Sequence, residues 1–440
     1  MTLKFKENKP DIALSHSISY KIAAIENIGY IPGKPAGLPD TIYGAIPVSH
    51  STPPPLEVPG ANLPRAVNYY ADYGGCGWWR MIMPELMLNI TQQAVINGLT
   101  TMIIDKPNFY QNVKAVRLQR QATPLQLEFV KYLKHFGQQH NYKIIYEIDD
   151  IIFKDDIPDF NRCKDAFVDP QIYASSMEMM KMCDEISVTC EYMKQYYVDK
   201  TGNKNITVIP NYPSRMWFDN HYSPDKILEN YGKFKKQPRV GYVGSGTHFD
   251  VMNRTNQKDD FAHVITNIIA SRKDFKWVFV GGYPLQCKPY IDAGEMEFIQ
   301  WFPLADLWKA YTVTNLNAVY APLMDCTFNR AKSNIKYLES ACCGIPGSFQ
   351  DIVTYKGAPV RFNNGNDLID TIKYILKDET HYLSLSALAR KYANQMFLDE
   401  HISEYKALYF TPFGSKERNE MSPSLIKNNS CQLIEKTHQV

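Results

Sequence analysis

Several features that would assign a chain to a specialised class are missing from this 440-residue sequence. No apolar run reaches the ~18 residues of a membrane-spanning helix. The segment Met1–Asp11 is charged and has no apolar stretch, so a secretory signal is not expected. The net charge is +2, which gives no global reason to expect nucleic acid or an acidic surface as partner.

The cysteines lack the spacing of a disulfide framework or a zinc site. Nine are present, an odd number, and no C-x-x-C pair occurs. Cys342 and Cys343 are adjacent within a predicted helix. We therefore expect a reduced, cytoplasmic protein without a metal centre.

Common catalytic and nucleotide-binding motifs are also missing. The sequence contains neither G-x-G-x-x-G nor G-x-x-x-x-G-K-[ST], which argues against a dinucleotide fingerprint and a P-loop. It has no H-E-x-x-H, no G-x-S-x-G and no EF-hand loop. A nicotinamide oxidoreductase remains an alternative, but the missing fingerprint speaks against it.

What is present is a series of short apolar strands separated by helical patterns, in two halves joined by the polar connector 211–237. This alternation predicts parallel βαβ units, and the length predicts two domains. The predicted strands begin at Arg65, Lys143, Glu185 and Ile206 in the first half, and at Arg239, Trp277 and Ala318 in the second.

Two glycine-rich turns follow predicted strands, one in each half. Gly74-Gly75-Cys76-Gly77 opens the first half, and Gly244-Ser245-Gly246-Thr247 opens the second. Backbone N–H groups in such turns can hold phosphate, and Thr247 adds a hydroxyl. Plain tight turns are the alternative. His248, next in the chain, is either a phosphate donor or a loop histidine with a structural partner.

The segment from Lys332 to Pro346 is the most informative. It predicts a helix that begins at Ser333 and stops at Gly344, with Ile335, Leu338 and Cys342 on one apolar face. Glu339 lies within that face, where a carboxylate needs a partner. If the helix extends back to Lys332, the segment suits a nucleoside diphosphate, with phosphate at the N-terminus and a sugar hydroxyl on Glu339. The alternative is a helix cap, a solvated lysine and a partly exposed glutamate.

Two further features concern an acceptor. Asp149 and Asp150 end a predicted buried strand, where carboxylates face the ligand crevice of an α/β sheet; a cap or a turn is the alternative. Between Lys106 and Lys143, seven basic residues stand against Glu128 alone. That excess is either a solvated helix face with a basic loop or a surface for phosphates.

In this order, the two glycine turns, Tyr146–Asp150, Val208–Asn211 and Lys332–Pro346 resemble the group 1 glycosyltransferases of the GT-B fold over roughly residues 65–410. The resemblance implies two facing Rossmann-like doubly wound α/β domains and a nucleoside-diphosphate sugar, expected to be a UDP-sugar, as donor and not as a cofactor. Two departures are Ala331, where many relatives carry a second glutamate, and the loose match of Arg254 and Lys258 to a cation pair.

The resemblance also implies roles for individual residues. Donor-binding residues would be Gly75, Gly77, Gly244, Ser245, Thr247, His248, Ser333, Asn334 and Glu339, with Glu339 on the ribose. Asp149, Asp150 and Lys332 are the predicted catalytic residues, the two aspartates on the acceptor side.

The predicted organisation is an N-terminal elaboration (1–64), an acceptor domain (65–212), a nucleotide-sugar domain (213–390), a C-terminal helix returning to the first domain (391–411) and a disordered tail (412–440). The predicted activity is glycosyl transfer to a hydroxyl with retention. The acceptor is a hydroxymethylated DNA base, as for phage enzymes of this fold, or a glycan, lipid-linked sugar or small molecule. A non-catalytic nucleotide-binding module is the alternative class.

Overall fold

The computed structural model describes residues 63–72, 74–99 and 107–415. The predicted elaboration 1–64 and tail 412–440 therefore lie outside the described residues, apart from residues 63–64 and 412–415. The chain divides into two compact units. In the described ranges, one comprises the residues up to Asp149, Asp169–Pro210 and those from Ile402 onward, and the other Asp150–Val168 and Asn211–His401.

The first unit contains one parallel sheet of six described strands in the order β2-β1-β3-β4-β5-β6. Apolar residues dominate these strands because helices cover both faces of a parallel sheet. The strands are β1 Arg65–Tyr69, β2 Val95–Leu99, β3 Val113–Gln119, β4 Lys143–Glu147, β5 Glu185–Val188 and β6 Ile206–Val208.

A buried ion network links the strands of this unit to its C-terminal helix. Glu147 lies between two fully buried arginines: Arg80 Nε donates to Glu147 Oε1 at 2.6 Å, and Arg117 pairs with the other oxygen. The Arg117 guanidinium also lies over the ring of Tyr409, whose hydroxyl donates to Asn68 Oδ1 at 2.8 Å. Removing any one of these buried side chains would leave a charge without its counter-charge. The network therefore favours a single arrangement of the three side chains.

The second unit also contains a parallel sheet of six described strands, ordered β12-β11-β10-β7-β8-β9. Counted from β7, this is the 3-2-1-4-5-6 order of a Rossmann sheet. The strands are β7 Arg239–Val243, β8 Lys276–Val280, β9 Glu297–Ile299, β10 Ala318–Ala321, β11 Gly347–Gln350 and β12 Arg361–Phe362. Its core is aromatic, with Tyr242, Phe261, Trp277 and Tyr320 packed edge to face.

Helices separate most of the described strands, in line with the alternation that the sequence predicts. A π-helical turn, Trp78–Ile82, joins the first two, and Trp78 and Trp79 are buried core residues rather than an exposed stacking platform. The helices are α1 Gly75–Gly77, α2 Met83–Ile90, α3 Pro124–His140, α4 Pro170–Met182, α5 Glu191–Thr201, α6 Arg215–Phe218, α7 Pro224–Lys233, α8 Ile265–Ala270, α9 Lys288–Asp292, α10 Lys309–Thr312, α11 Thr327–Arg330, α12 Ile335–Cys342, α13 Gly365–Ile375, α14 Glu379–Asn394 and α15 Leu398–Phe410.

The unit boundaries differ from the predicted domains in two places. Asp150–Val168, placed in the first domain by the sequence, belongs to the second unit. The segment predicted as one C-terminal helix, 391–411, is divided between α14 and α15, and the residues from Ile402 onward group with the first unit. Short segments that leave and re-enter a unit carry no local sequence signal, because their assignment depends on contacts distant in the chain.

Candidate functional site

The strand order locates the ligand crevice of the second unit. The sheet order reverses between β7 and β10, which are neighbours although β8 and β9 separate them in sequence. Ligands of open α/β sheets bind beyond the carboxyl ends of the strands at such a reversal. The turn that begins at Gly244 follows β7, and the segment leading to α12 follows β10. Both sequence motifs of this half therefore belong to loops at the reversal point.

Gly244 and Lys336 lie against each other. A Cβ atom at position 244 would approach Lys336 Nζ and the hydroxyl of Tyr242 to 2.5 Å each. Lys336 Nζ donates to the carbonyl oxygen of Val243 at 3.2 Å and lies 5.1 Å from the Tyr242 ring centroid. A side chain at 244 would therefore displace the Lys336 ammonium or the Tyr242 hydroxyl from its present position.

Glu339 is 6% exposed and accepts a hydrogen bond from the Tyr311 hydroxyl at 2.7 Å. Burial raises its pKa, and the Tyr311 hydrogen bond and the nearby Lys336 charge only partly oppose this rise. Burial lowers the pKa of Lys336, partly offset by attraction to Glu339. The two groups are thus held in an environment where each charge is costly without a further partner.

In the structure, the lysine next to Glu339 on the helix is Lys336 and not Lys332. The predicted helix begins two residues later than expected: α12 runs from Ile335 to Cys342, and Lys332 lies outside it. The helix therefore does not extend back to Lys332, and Lys336, three residues before Glu339, is the lysine that lies on the helix. Residues at this spacing are neighbours on one helix face, so the i, i+3 pair was a readable signal.

Lys332 lies instead beside Asp150. Its Nζ is 3.1 Å from Asp150 Oδ1 and 4.4 Å from the Phe328 ring centroid. The structure thus brings together two of the three predicted catalytic residues, within the second unit. Lys332 remains close enough to Lys336 to lower its pKa by repulsion.

The side chains of Ser333 and Asn334 have protein partners. Asn211 Nδ2 donates to Ser333 Oγ at 3.0 Å, and Asn334 Nδ2 donates to the Tyr392 hydroxyl at 3.0 Å. Asn334 is the residue before α12, but its side chain does not cap the helix. These contacts fix the approach to the helix, while the Ser333 hydroxyl, which accepts from Asn211, keeps its O–H as a donor.

The turn after β7 is a short 3₁₀ helix, Gly246–His248. The Ser245 and Thr247 hydroxyls lie 2.8 Å apart, and Gly244 N donates to Val280 O at 3.0 Å. The first N–H groups of a helix have no acceptor within it. The turn therefore offers N–H and O–H donors on the residues predicted to hold phosphate.

His248 is buried and its Nδ1 lies 2.7 Å from Asp260 Oδ2. Burial, reinforced by the positive charges of Lys336 and Lys332, holds the pKa of His248 well below its usual range. A neutral imidazole offers phosphate no positive charge, although its N–H group can still donate a hydrogen bond. Asp260 was not identified from the sequence, since nothing local marks one aspartate in a polar loop.

Arg254 and Lys258, the loosely matched cations, lie in the exposed loop that follows His248. Arg254 forms a two-pronged ion pair with Asp165 at 2.6 and 2.8 Å. Arg254 is therefore engaged on the surface of the second unit, and Lys336 is the cation that adjoins the glycine turn.

In the first unit, the sheet order reverses between β1 and β3. Gly77 N donates to Asp72 Oδ1 at 3.1 Å, and a Cβ at Gly77 would collide with the Asp72 carbonyl oxygen. Gly77 is thus a glycine for local backbone reasons. No heavy atom lies within 4 Å of a Cβ built at Gly75 in the described structure, so packing does not demand a glycine there.

An arginine joins two carboxylates at this reversal. Arg120 Nη2 lies 2.6 Å from Asp72 Oδ2, and Nη1 lies 3.8 Å from Asp149 Oδ1. The Arg120 backbone is left-handed, with φ of 43°, a conformation that non-glycine residues adopt at a cost. Asp149 is therefore positioned by a charged partner at the edge where its strand ends.

The basic segment does not form a basic surface in its described part. Arg117 is buried against Glu147, and Arg120 pairs with Asp72. Lys131, Lys134 and Lys143 pair with acidic residues, namely Glu128 and Glu178, Asp184, and Glu185 respectively. Five of the six described basic residues are thus paired with carboxylates of the same unit, and the sixth, Lys114, is exposed. Lys106 lies outside the described residues.

Two Rossmann-like units with these sheets constitute the GT-B fold, the fold class of the predicted glycosyltransferases. The sequence matches no protein-family model and no curated protein. Among solved structures, the chain is similar to Anabaena HepE in complex with UDP and in complex with UDP-glucose. In both comparisons the TM-score is 0.51, the identity is 9%, and the match covers 78% of this chain and 99% of HepE. No described helix is long and apolar enough to cross a membrane.

Proposed function

We propose that this protein is a glycosyltransferase that binds a nucleoside-diphosphate sugar at the second unit and transfers the sugar to an acceptor hydroxyl. The observation that carries the proposal is the arrangement of Gly244, Lys336 and Glu339. A partly buried ammonium adjoins the glycine turn, and a buried carboxylate follows three residues later, roughly 4.5 Å along the helix axis. A cation and a carboxylate so placed suit a diphosphate and a ribose.

Each group has a defined task in this proposal. Glu339, held by Tyr311, accepts a hydrogen bond from a ribose hydroxyl, so the ligand gives the buried carboxylate a second hydrogen-bond donor. Lys336 and the N–H groups of the turn at Gly244 bind the diphosphate. Positioned donors of this kind stabilise the negative charge that develops on a leaving diphosphate.

Lys332 Nζ forms an ion pair with Asp150 Oδ1 at 3.1 Å. A diphosphate competes with this carboxylate for the lysine, so donor binding releases Asp150 from the ion pair. We assign Asp150, with Asp149, to the acceptor hydroxyl, and retention of configuration follows from the resemblance to the group 1 enzymes. HepE, of similar fold, is known in complexes with UDP and UDP-glucose, which supports uracil as the donor base.

For the acceptor, we favour a glycan, a lipid-linked sugar or a small molecule over a hydroxymethylated DNA base. Binding to duplex DNA depends on cations that neutralise phosphates. In the described part of the basic segment, five of the cations are paired with carboxylates of the same unit. A gel shift with hydroxymethylated and unmodified duplexes tests this preference: we expect no shift, and a salt-sensitive shift would reverse it.

Thermal shift with UDP and a panel of UDP-sugars tests donor binding, because a ligand that binds the folded state raises Tm by mass action. We expect wild type to be stabilised by UDP, and Lys336→Ala to lose most of that effect. Lys373→Ala, an exposed lysine on α13 of the same unit, is the matched control and should respond as wild type does.

Turnover separates an enzyme from a binding module. The enzyme is expected to release UDP from a bound UDP-sugar, with the sugar transferred to water or to an acceptor hydroxyl. Stabilisation by UDP-sugars without release of UDP across the acceptor panel would favour the non-catalytic alternative, and the absence of any stabilisation would overturn the proposal.

A further inference from the structure

Asp260 joins three separate segments of the second unit through one carboxylate. Its Oδ2 contacts His248 Nδ1 at 2.7 Å. Its Oδ1 accepts from Met324 N at 2.8 Å and from Asn329 Nδ2 at 2.7 Å. These partners belong to the turn after β7, the loop after β10 and helix α11. The aspartate thus fixes the relative placement of the two loops that meet at the reversal of the sheet.

The contacts also assign the tautomer of His248. Both partners of Oδ1 are N–H donors, so the carboxylate acts as an acceptor on that side, and the same is expected of Oδ2. His248 then donates its Nδ1–H to Asp260, and Nε2 carries the lone pair. Among the described residues, Asp260 is the hydrogen-bonding partner of this side chain. Nε2 is therefore an acceptor available to a ligand.

The charges around the imidazole agree with a neutral ring. His248 is 7% exposed, and the charged groups that act on it are Lys336, Lys332 and Asp150, besides Asp260, with the Tyr242 ring packed edge-on. Burial and the two lysines keep its pKa low. Burial raises the pKa of Asp260 to about 6, which leaves it ionised near neutral pH.

The neighbours of His248 indicate which part of a donor it meets. His248 ends the turn that follows Gly244, where Lys336 Nζ contacts the Val243 carbonyl oxygen, and the charges of Lys332, Lys336 and Asp150 act on its ring. The imidazole therefore belongs to the phosphate and sugar end of the donor. A neutral Nε2 acceptor suits a hydroxyl group and does not suit a phosphate oxygen, which has no proton to donate.

We propose that His248 accepts a hydrogen bond from a hydroxyl of the transferred sugar through Nε2, and that Asp260 is the positioning residue that fixes the imidazole for this contact. The proposal rests on the proposed function, since it assigns the sugar end of the same donor site. If so, His248 and Asp260 help to determine which sugar is accepted, whereas other residues bind the nucleotide.

The test compares UDP with a UDP-sugar, so that a contact to the sugar is separated from one to the nucleotide. The sugar nucleotide is whichever of UDP-glucose, UDP-galactose and UDP-N-acetylglucosamine binds wild type most tightly, with Kd measured by calorimetry. In His248→Asn, the amide can keep the hydrogen bond to Asp260, while the Nε2 acceptor is lost. We expect unchanged affinity for UDP and roughly three- to tenfold weaker binding of the UDP-sugar, the loss of one hydrogen bond.

Asp260→Asn tests the positioning role. The asparagine oxygen is needed by Met324 N and Asn329 Nδ2, so its NH₂ group faces His248 Nδ1 and forces the proton to Nε2. We expect the same selective loss of UDP-sugar affinity, and no additional loss when this change is combined with His248→Asn. The control is Asp259→Asn, an adjacent buried aspartate whose oxygens accept only the N–H groups of Asp250 and Phe261 in the described structure.

The outcomes are distinguishable. If wild type binds UDP and a UDP-sugar but His248→Asn changes neither affinity, or weakens both equally, the sugar contact is wrong while the proposed function stands. If Asp259→Asn reproduces the loss seen in Asp260→Asn, the effect is one of loop folding and the positioning role is wrong. If wild type binds none of these nucleotides, the proposed function fails and this inference fails with it.

Discussion

Replacing Glu339 by glutamine should make the unliganded protein more stable and the donor complex weaker. Burial raises the pKa of Glu339 from 4.5 to about 7. A carboxyl group whose pKa is higher in the folded state binds more protons folded than unfolded between those two values. Its contribution to stability is therefore full below pH 4.5 and is lost as the pH rises through about 7.

The size of the effect follows from the shift. At ~1.4 kcal/mol per pKa unit, the folded protein loses up to about 3 kcal/mol by pH 8 from ionising this side chain. Glutamine has the same shape, keeps an oxygen for the Tyr311 hydroxyl and carries no charge. Because Lys336 loses an attractive neighbour, the net gain in the free energy of unfolding should be smaller, about 1–3 kcal/mol at pH 8 and under about 1 kcal/mol at pH 5.

Whereas the stability of Glu339→Gln should rise, its affinity for the donor should fall. With its oxygen held by Tyr311, the glutamine side chain presents an NH₂ group where a ribose hydroxyl requires an acceptor. We expect UDP binding to weaken by about 1–3 kcal/mol, typical of a hydrogen bond to a charged group.

Urea unfolding at pH 5 and pH 8 and calorimetry with UDP measure the two effects. The control is Glu229→Gln, an exposed glutamate on α7, which should change neither. A variant less stable than wild type at pH 8 would refute the assignment of a costly buried carboxylate. An unchanged Kd for UDP would refute the ribose assignment.

Two further substitutions test other parts of the structure. Gly244→Ala places a methyl group 2.5 Å from the present position of Lys336 Nζ, so UDP affinity should fall roughly tenfold by calorimetry; Gly232→Ala on α7, where nothing lies within 4 Å of an added Cβ, should bind as wild type does, and equal losses would argue against the lysine. Glu147→Ala leaves two buried arginines without their carboxylate and should cost about 3–5 kcal/mol in urea unfolding, and a cost below ~1 kcal/mol would contradict the network.

Much of the fold was readable from local sequence. Arg239–Val243 and Ala318–Ala321 were predicted as strands with the bounds that the structure shows. Gly344, predicted to stop the helix after Glu339, adopts a left-handed φ of 70°, which residues other than glycine rarely adopt. Strand periodicity and helix stops are properties of a few consecutive residues, so such predictions need no tertiary information.

The members of the site that were missed come from distant segments. Tyr311 lies 28 residues before its partner Glu339, and Asp260 lies 64 residues before Met324. Neither residue stands in a motif. Lys336 was overlooked because the helix was expected to begin earlier, which put Lys332 in its place.

The sequence by itself determined the alternation of strands and helices, the glycine turns that follow β1 and β7, and the glutamate within an apolar helix face, because each depends on neighbours along the chain. The tertiary structure alone decided which charges meet. In the folded chain, most cations of the described basic segment pair with carboxylates of the same unit. Lys336 lies against Gly244, and Asp260 contacts His248. Ion pairs and pKa values depend on distance and burial in three dimensions, and a sequence records neither.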